Sequence, residues 1–135
     1  MPTLIQKGLY GTIPIENLDP RELGFRIIHR QCYLSTETVI SDFGIINQSP
    51  TKITYVSDIS KNIQVAGYDF LTRQLNFKFL NNTSGIIQKE NGILAATLER
   101  AVADMMYFQP HYHFDAHNII NWELVKKIQH EIGFL

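Results

Sequence analysis

Four side chains near the end of the sequence could bind a metal ion. They alternate with other residues in the segment HYHFDAH and are His111, His113, Asp115 and His117. In an extended backbone, alternate side chains project to one side, where all four could be ligands of one ion. This leaves open, as an alternative function, a small metal-dependent hydrolase or nuclease. The H-E-x-x-H and paired-cysteine frames are absent, so we favour a simple anchoring segment without metal, in which Tyr112 and Phe114 face the core.

A second group of polar side chains lies on one predicted helix and consists of Thr97, Glu99, Arg100 and Asp104. Carboxylates beside a guanidinium could bind or activate a substrate. The spacing also fits a purely structural role, with Thr97 as the N-cap, Glu99 at the positive helix end, and an i, i+4 pair of Arg100 with Asp104. We favour a structural or docking role, in which Arg100 pins the helix to the sheet.

Other known catalytic and phosphate-binding motifs are missing from the sequence. It has no glycine-rich phosphate loop and no G-x-S-x-G segment. The only cysteine, Cys32, is close to His29 in the sequence, but no third orienting group is evident, and a lone cysteine is more often a small buried hydrophobe. We therefore expect no catalytic residues, no cofactor and no enzymatic activity.

Composition and charge limit the class of protein. A chain of 135 residues with 44% hydrophobic content is within the size range of one domain with a real core. Its net charge of -1, from 12 basic and 13 acidic residues, provides no overall positive field for nucleic acid. A single cysteine rules out an internal disulfide, and no apolar run approaches the ~20 residues that span a bilayer. We expect a cytoplasmic protein that does not contact membranes.

The elements that must position these groups follow from capping signals and periodicity. Asp19, Pro20 and Glu22 predict the start of a helix over residues 20–31, and a second helix is expected from Ser35 to Gly44. Period-two patterns predict three strands between residues 52 and 80, the third of them carrying Leu75, Phe77 and Phe79.

The second half of the sequence predicts a hairpin and two further helices. Asn91-Gly92 lies between two apolar runs and indicates a hairpin over residues 85–97. Thr97 and Asn121 then each cap a helix with an apolar stripe, and Gly133 ends the second of these. The predicted fold is α+β, with an antiparallel or mixed sheet packed against about four α-helices.

Two segments, at this spacing, resemble the AbiEi family of type IV toxin-antitoxin regulators. The first is YLSTET at residues 33–38, which leads to Gly44-Ile45 and the strand TYVS at residues 54–57. The second is LAATLERAVADM at residues 94–105. Residues 4–10, LIQKGLY, are similar to the end of the family's winged-helix wing. The family-motif residues are Tyr33, Ser35, Glu37, Thr97, Glu99, Arg100 and Asp104.

The resemblance implies an α+β antitoxin domain at residues 16–135, preceded at residues 1–15 by a remnant of the wing or a leading strand. The family has an N-terminal winged helix that binds operator DNA, and we expect most of that head to be missing here. Lys7 and Tyr10 would be the remaining phosphate-contacting edge. The implied function is an antitoxin and transcriptional regulator in abortive infection of phage-infected cells. The implied partner is a nucleotidyltransferase-like toxin, whose effect the antitoxin opposes without needing a stable complex.

Overall fold

The structure, a computed structural model, describes residues 18–135. The predicted wing remnant at residues 1–15, with Lys7 and Tyr10, lies outside them. The described helices are α1 (Pro20–Ile28), α2 (Glu37–Asp42), α3 (Phe77–Leu80), α4 (Leu98–Phe108) and α5 (Trp122–Ile132). The strands are β1 (Cys32–Leu34), β2 (Ile53–Ser57), β3 (Lys61–Val65), β4 (Tyr68–Gln74), β5 (Ile86–Gln88) and β6 (Leu94–Ala96). A 3-10 turn at His117–Ile119 precedes α5.

The six strands form one mixed sheet in the order β3-β4-β2-β1-β6-β5. Two hairpins, β3–β4 and β5–β6, make the two edges and are antiparallel. The central strand β1 runs antiparallel to β2 and parallel to β6, while β2 runs parallel to β4. This sheet with its helices confirms the predicted α+β fold and decides for a mixed rather than an antiparallel sheet.

Helices pack on both faces of the sheet. Neighbouring side chains of a strand point to opposite faces, and the central strands carry buried side chains on each. In the register of β1 with β2, Leu34 pairs with Tyr55, and Tyr33 pairs with Val56. On the face that carries Leu34 and Tyr55, the Tyr55 hydroxyl donates to the Arg21 carbonyl of α1, 2.6 Å away. On the other face, Tyr33 contacts α4. The buried core therefore continues through the middle of the sheet.

Several local signals in the sequence are confirmed. The Thr97 side chain accepts a hydrogen bond from the Arg100 amide at the start of α4, and Asn121 accepts from the Leu124 amide at the start of α5. Gly133 ends α5 in the left-handed conformation. The hairpin around Asn91-Gly92 pairs β5 with β6 from Ile86↔Ala96 to Gln88↔Leu94. These signals are strong because each satisfies a backbone group within a few residues.

The first two helices are shorter than predicted. Helix α1 ends at Ile28 because His29 has a positive φ of 52°, and Asp19 makes no side-chain capping bond. Glu22 accepts from Arg26 instead of capping the helix. Helix α2 begins at Glu37, since the Ser35 hydroxyl is used in a bond to Asp104 and Thr36 has a non-helical φ of 58°. A tertiary contact thus replaces the predicted cap.

The predicted third strand through Leu75, Phe77 and Phe79 is wrong. The third strand is β4, at Tyr68–Gln74, and Phe77–Leu80 is the one-turn helix α3. Asn76 starts that turn by accepting a hydrogen bond from the Lys78 amide at 3.0 Å. The alternation of apolar residues in this segment therefore does not indicate a sheet.

Within the described part of the chain, no helix is both long enough and apolar enough to cross a bilayer.

Candidate functional site

The two sequence motifs meet in one buried hydrogen-bond network between β1 and α4. Its side chains come from Tyr33 and Ser35 of the first motif and from Arg100 and Asp104 of the second. Arg100 and Asp104 are completely buried, and Arg100 is the largest fully buried side chain among the described residues. Hydrogen-bonded residues 67 to 71 positions apart in the sequence thus share one site, which we call the motif network.

Every charged group in the motif network has partners. The Asp104 carboxylate accepts bonds from the hydroxyls of Tyr33 and Ser35, each at 2.8 Å, and from Arg100 Nε at 3.2 Å. Arg100 Nη1 donates to the carbonyl oxygens of Asn82 and Ser84 at 2.9 and 2.6 Å, and Nη2 donates to the Tyr33 hydroxyl at 3.0 Å. The guanidinium also lies 5.1 Å from the centre of the Tyr33 ring.

These bonds connect three parts of the fold. Arg100 joins α4 to the loop before β5, and Asp104 joins α4 to β1. Arg100 thus contacts a loop and a strand, and its role in pinning the helix to the sheet stays a prediction. Gly85 allows this approach, because a Cβ at that position would lie 2.7 Å from the Arg100 Cβ.

Burial determines the protonation chemistry of the motif network. Desolvation raises the pKa of the Asp104 carboxyl, and the opposing effects of Arg100, Tyr33 and Ser35 only partly offset it. Desolvation, followed by the charge of Asp104, raises the pKa of the Tyr33 hydroxyl well above its usual value. In this structure both groups are closed off from solvent and bonded to internal partners. The arrangement is suited to holding elements together.

The remaining motif residues lie outside the motif network's centre. Thr97 caps α4, and Glu99 is half-buried in the first turn of that helix. Glu37 forms an ion pair with Arg73 of β4. Within residues 18–135, the Glu37 Oε1 and Arg73 Nε atoms are buried without a hydrogen-bond partner. Sequence reasoning did not find the role of Arg73, because a salt bridge across 36 positions leaves no local pattern.

The histidine segment does not bring its four polar side chains together. His111, His113 and His117 are exposed, and only His113 approaches Asp115, with Nε2 3.3 Å from Oδ1. No group of three or more His, Cys, Asp or Glu side chains in residues 18–135 is placed to hold a metal ion. Phe114 is buried and Tyr112 half-buried, as the anchoring interpretation predicts. Two hydrogen bonds attach the segment to a loop. The Asn47 amide donates to the Asp115 carboxylate at 2.8 Å, and the Ala116 amide donates to the Ile45 carbonyl at 2.9 Å.

A groove of about 680 Å³ lies beside this segment. One wall is the loop of residues 46–52, and the other is formed by Tyr112, His113 and Asp115. Glu37, Thr54 and Leu71 line the groove between them. We call this feature the loop groove. Sequence reasoning missed it because its walls come from four separate segments.

In comparisons of this chain with protein-family models, with curated proteins and with solved structures, nothing matches.

Proposed function

We propose that the chain is the effector domain of an AbiE-like type IV antitoxin and that it opposes its toxin without catalysis. The observation that carries this proposal is the motif network. Tyr33 and Ser35 in one motif and Arg100 and Asp104 in the other form a single buried unit. The residues behind the resemblance are thus the ones that build the centre of the domain.

A non-enzymatic role is supported by where the motif residues lie. The most chemically capable side chains are closed off from solvent and satisfied by internal partners, so a substrate has no access to them. We therefore infer that the domain acts through its surface.

The proposed functional partner is a nucleotidyltransferase-like toxin, with or without direct contact. Operator DNA would be a partner only where a winged-helix head is supplied, since base recognition requires an element that enters a groove. The single cysteine and the absence of an internal disulfide fit the proposed location in the cytoplasm.

The alternative of a metal-dependent hydrolase or nuclease has no specific support in the geometry. It requires several ligands at about 2 Å from one point. Of the four side chains concerned, only His113 and Asp115 are in contact, and the Asp115 carboxylate already accepts a hydrogen bond from the Asn47 amide.

Growth rescue tests the proposed function. The chain is co-expressed with a nucleotidyltransferase-like toxin of the proposed type, and colony counts are compared with those of cells that express the toxin alone. We expect the chain to restore growth and Leu98→Asp, a variant designed not to fold, to fail. Equal toxicity with and without the wild-type chain, at confirmed soluble expression, would contradict the proposal.

A further inference from the structure

The two edges of the sheet carry different side chains. Strand β3 exposes Lys61, Asn62 and Gln64 at one edge, and such polar and charged positions oppose pairing with another chain. Strand β5 forms the other edge, and its central residue Ile87 is 44% exposed. Among the described residues, no strand pairs with the outer side of β5. An apolar residue at such an edge favours the addition of a further strand.

The hairpin β5–β6 determines which main-chain groups of β5 point outward. The Thr97 amide donates to the Gly85 carbonyl, and the Lys89 amide donates to the Ile93 carbonyl, both at 2.8 Å. The odd-numbered residues of β5 therefore bond toward β6. Because bonding alternates along an antiparallel pair, the main-chain groups of the even-numbered residues point away from the sheet.

These outward groups are complementary to a second copy of themselves. The Ile86 amide already donates to the Thr83 carbonyl at 2.9 Å, so the Gln88 amide is the remaining donor, and the carbonyl groups of both residues are acceptors. In an antiparallel pair with a two-fold axis at Ile87, the Gln88 amide of each copy donates to the Ile86 carbonyl of the other. The two Ile87 side chains then face each other at the axis.

The same register brings opposite charges together. Ile87, Lys89 and Glu99 line one cleft of about 240 Å³, so their side chains lie on one side of the sheet. In the two-fold pair, Lys89 of one copy lies opposite Gly85 of the other. Gly85 is bonded to Thr97, which is two positions before Glu99. Within residues 18–135, neither Lys89 nor Glu99 has an ion-pair partner in its own chain.

We propose that the β5 edge is a dimerisation surface and that its occupant is a second copy of this chain, paired antiparallel across a two-fold axis at Ile87. The two six-stranded sheets then join into one. The occupant follows from the match of donor with acceptor, of Ile87 with Ile87, and of Lys89 with Glu99. Strands of three residues bury less than the roughly 1,200 Å² of a standard interface, so we expect a dissociation constant on the order of 0.1 mM. Dimerisation is independent of the antitoxin assignment, because only edge residues take part.

The test follows the oligomeric state of the full chain against its concentration. Sedimentation velocity is measured from about 10 µM to about 1 mM, and amide hydrogen exchange is measured by NMR on the same samples. We expect the mean mass to rise from monomer toward dimer and the Gln88 amide to become protected as it rises. The Gln64 amide, which points outward from β3, should exchange at the same rate throughout.

Two proline variants assign the contact to one edge. Gln88→Pro removes the outward donor and leaves the β5–β6 bonds intact, since proline is tolerated where the amide of an edge strand faces solvent. We expect dimerisation to weaken by about tenfold, because each dimer loses two hydrogen bonds. The matched control Gln64→Pro makes the same change at the β3 edge and should dimerise like the wild type.

Charge reversal tests the register and also serves if the proline variant does not fold. Lys89→Glu should weaken the dimer by roughly fivefold, as expected for two partly exposed ion pairs that become repulsive. The double variant Lys89→Glu, Glu99→Lys should recover most of the loss, because the opposite charges meet again. A double variant no tighter than Lys89→Glu would overturn the proposed register.

Three further results would overturn the inference. The first is a chain that stays monomeric at about 1 mM. The second is a Gln88 amide that is equally protected at every concentration, since another part of the same chain would then cover the edge. The third is a dimer that Gln88→Pro and Gln64→Pro weaken equally.

Discussion

Cys32 shows what burial does to a reactive side chain. It is 2% exposed at the start of β1, and its sulfur faces the Phe25 carbonyl at 3.9 Å. Desolvation, with a smaller contribution from the charge of Asp58, raises the pKa of the thiol to about 12. At pH 8 the reactive thiolate is therefore almost absent.

We predict that native Cys32 does not react with a disulfide reagent such as dithionitrobenzoate at pH 8, whereas the chain unfolded in urea reacts fully. The absorbance of the released thiol measures both. Rapid stoichiometric reaction of the folded protein would show that the start of β1 is open.

Thr36 has an unusual backbone for a β-branched residue. Its φ is 58° and its ψ is −133°, and the side chain is completely buried just before α2. A Cβ in such a conformation costs about 1–3 kcal/mol, while glycine elsewhere loses about 0.5–1 kcal/mol relative to alanine through chain entropy. We predict that Thr36→Gly is more stable than Thr36→Ala by roughly 1 kcal/mol in urea unfolding.

A neighbouring threonine is the matched control. Thr38 is also buried, but it lies inside α2, where alanine should be more stable than glycine. If glycine and alanine ranked in the same order at both positions, Thr36 would be unstrained.

At the level of elements, α4 depends on its inward stripe. Leu98 and Met105 are 7% and 0% exposed, and α4 packs between the sheet and α5. We predict that Leu98→Asp and Met105→Asp each unfold or aggregate the chain, because an unpaired buried carboxylate costs several kcal/mol. Lys126→Asp, at an exposed position of α5, should stay folded. Soluble Leu98→Asp and Met105→Asp proteins with the wild-type melting midpoint would mean that this register is wrong.

The histidine segment gives a prediction for a loop. Its three imidazoles are exposed, so the combined His111→Ala, His113→Ala, His117→Ala variant should lose at most about 0.5 kcal/mol per position. Asp115→Ala should lose more, since it removes the bond that holds the segment to the Asn47 amide. Thermal melts with and without chelator measure this. A fall of many degrees caused by chelator in the wild type alone would refute the non-metal interpretation.

Local elements were predictable where the signal is contained in a few residues. The caps Thr97 and Asn121 and the Asn91-Gly92 hairpin are of this kind. The segment Phe77–Leu80 was wrongly predicted as a strand. Its residue Phe79 packs against Tyr107 and Phe134, at ring-centre distances of 5.6 and 5.2 Å. Those contacts put apolar residues in a helical turn, and alternation alone cannot distinguish that turn from a strand.

A similar two-residue turn signal could have predicted where β4 begins. Val65 pairs with Tyr68 around the two-residue turn Ala66-Gly67, in which both residues have a positive φ. A two-residue turn that ends in glycine is a known hairpin signal, although alanine is a poor residue for its first position.

At the scale of the whole molecule, the pairing of distant strands could not be predicted from the sequence. The parallel pairings of β1 with β6 and of β2 with β4 depend on long connections that leave no local pattern. The candidate site was predictable in part: the residue types of the motif network were singled out, but their meeting was not. The loop groove was not predictable, because four separate segments line it.

The central claim is that the motif residues hold the domain together and that its surface carries the function. The motif network is fully paired, so removing one partner should destabilise the fold. We expect Asp104→Asn to lose about 3–5 kcal/mol by leaving Arg100 uncompensated, and Tyr33→Phe about 1–3 kcal/mol.

The most direct test measures growth rescue against the amount of folded protein in the cell for the wild type, Tyr33→Phe and Asp104→Asn. Soluble protein and melting midpoint are determined for each chain, and toxin expression is varied. We predict that rescue per folded molecule is the same for all three, so that any loss of rescue follows the loss of stability. A Tyr33→Phe protein that melts like the wild type, accumulates to the same level and still fails to restore growth would contradict the account.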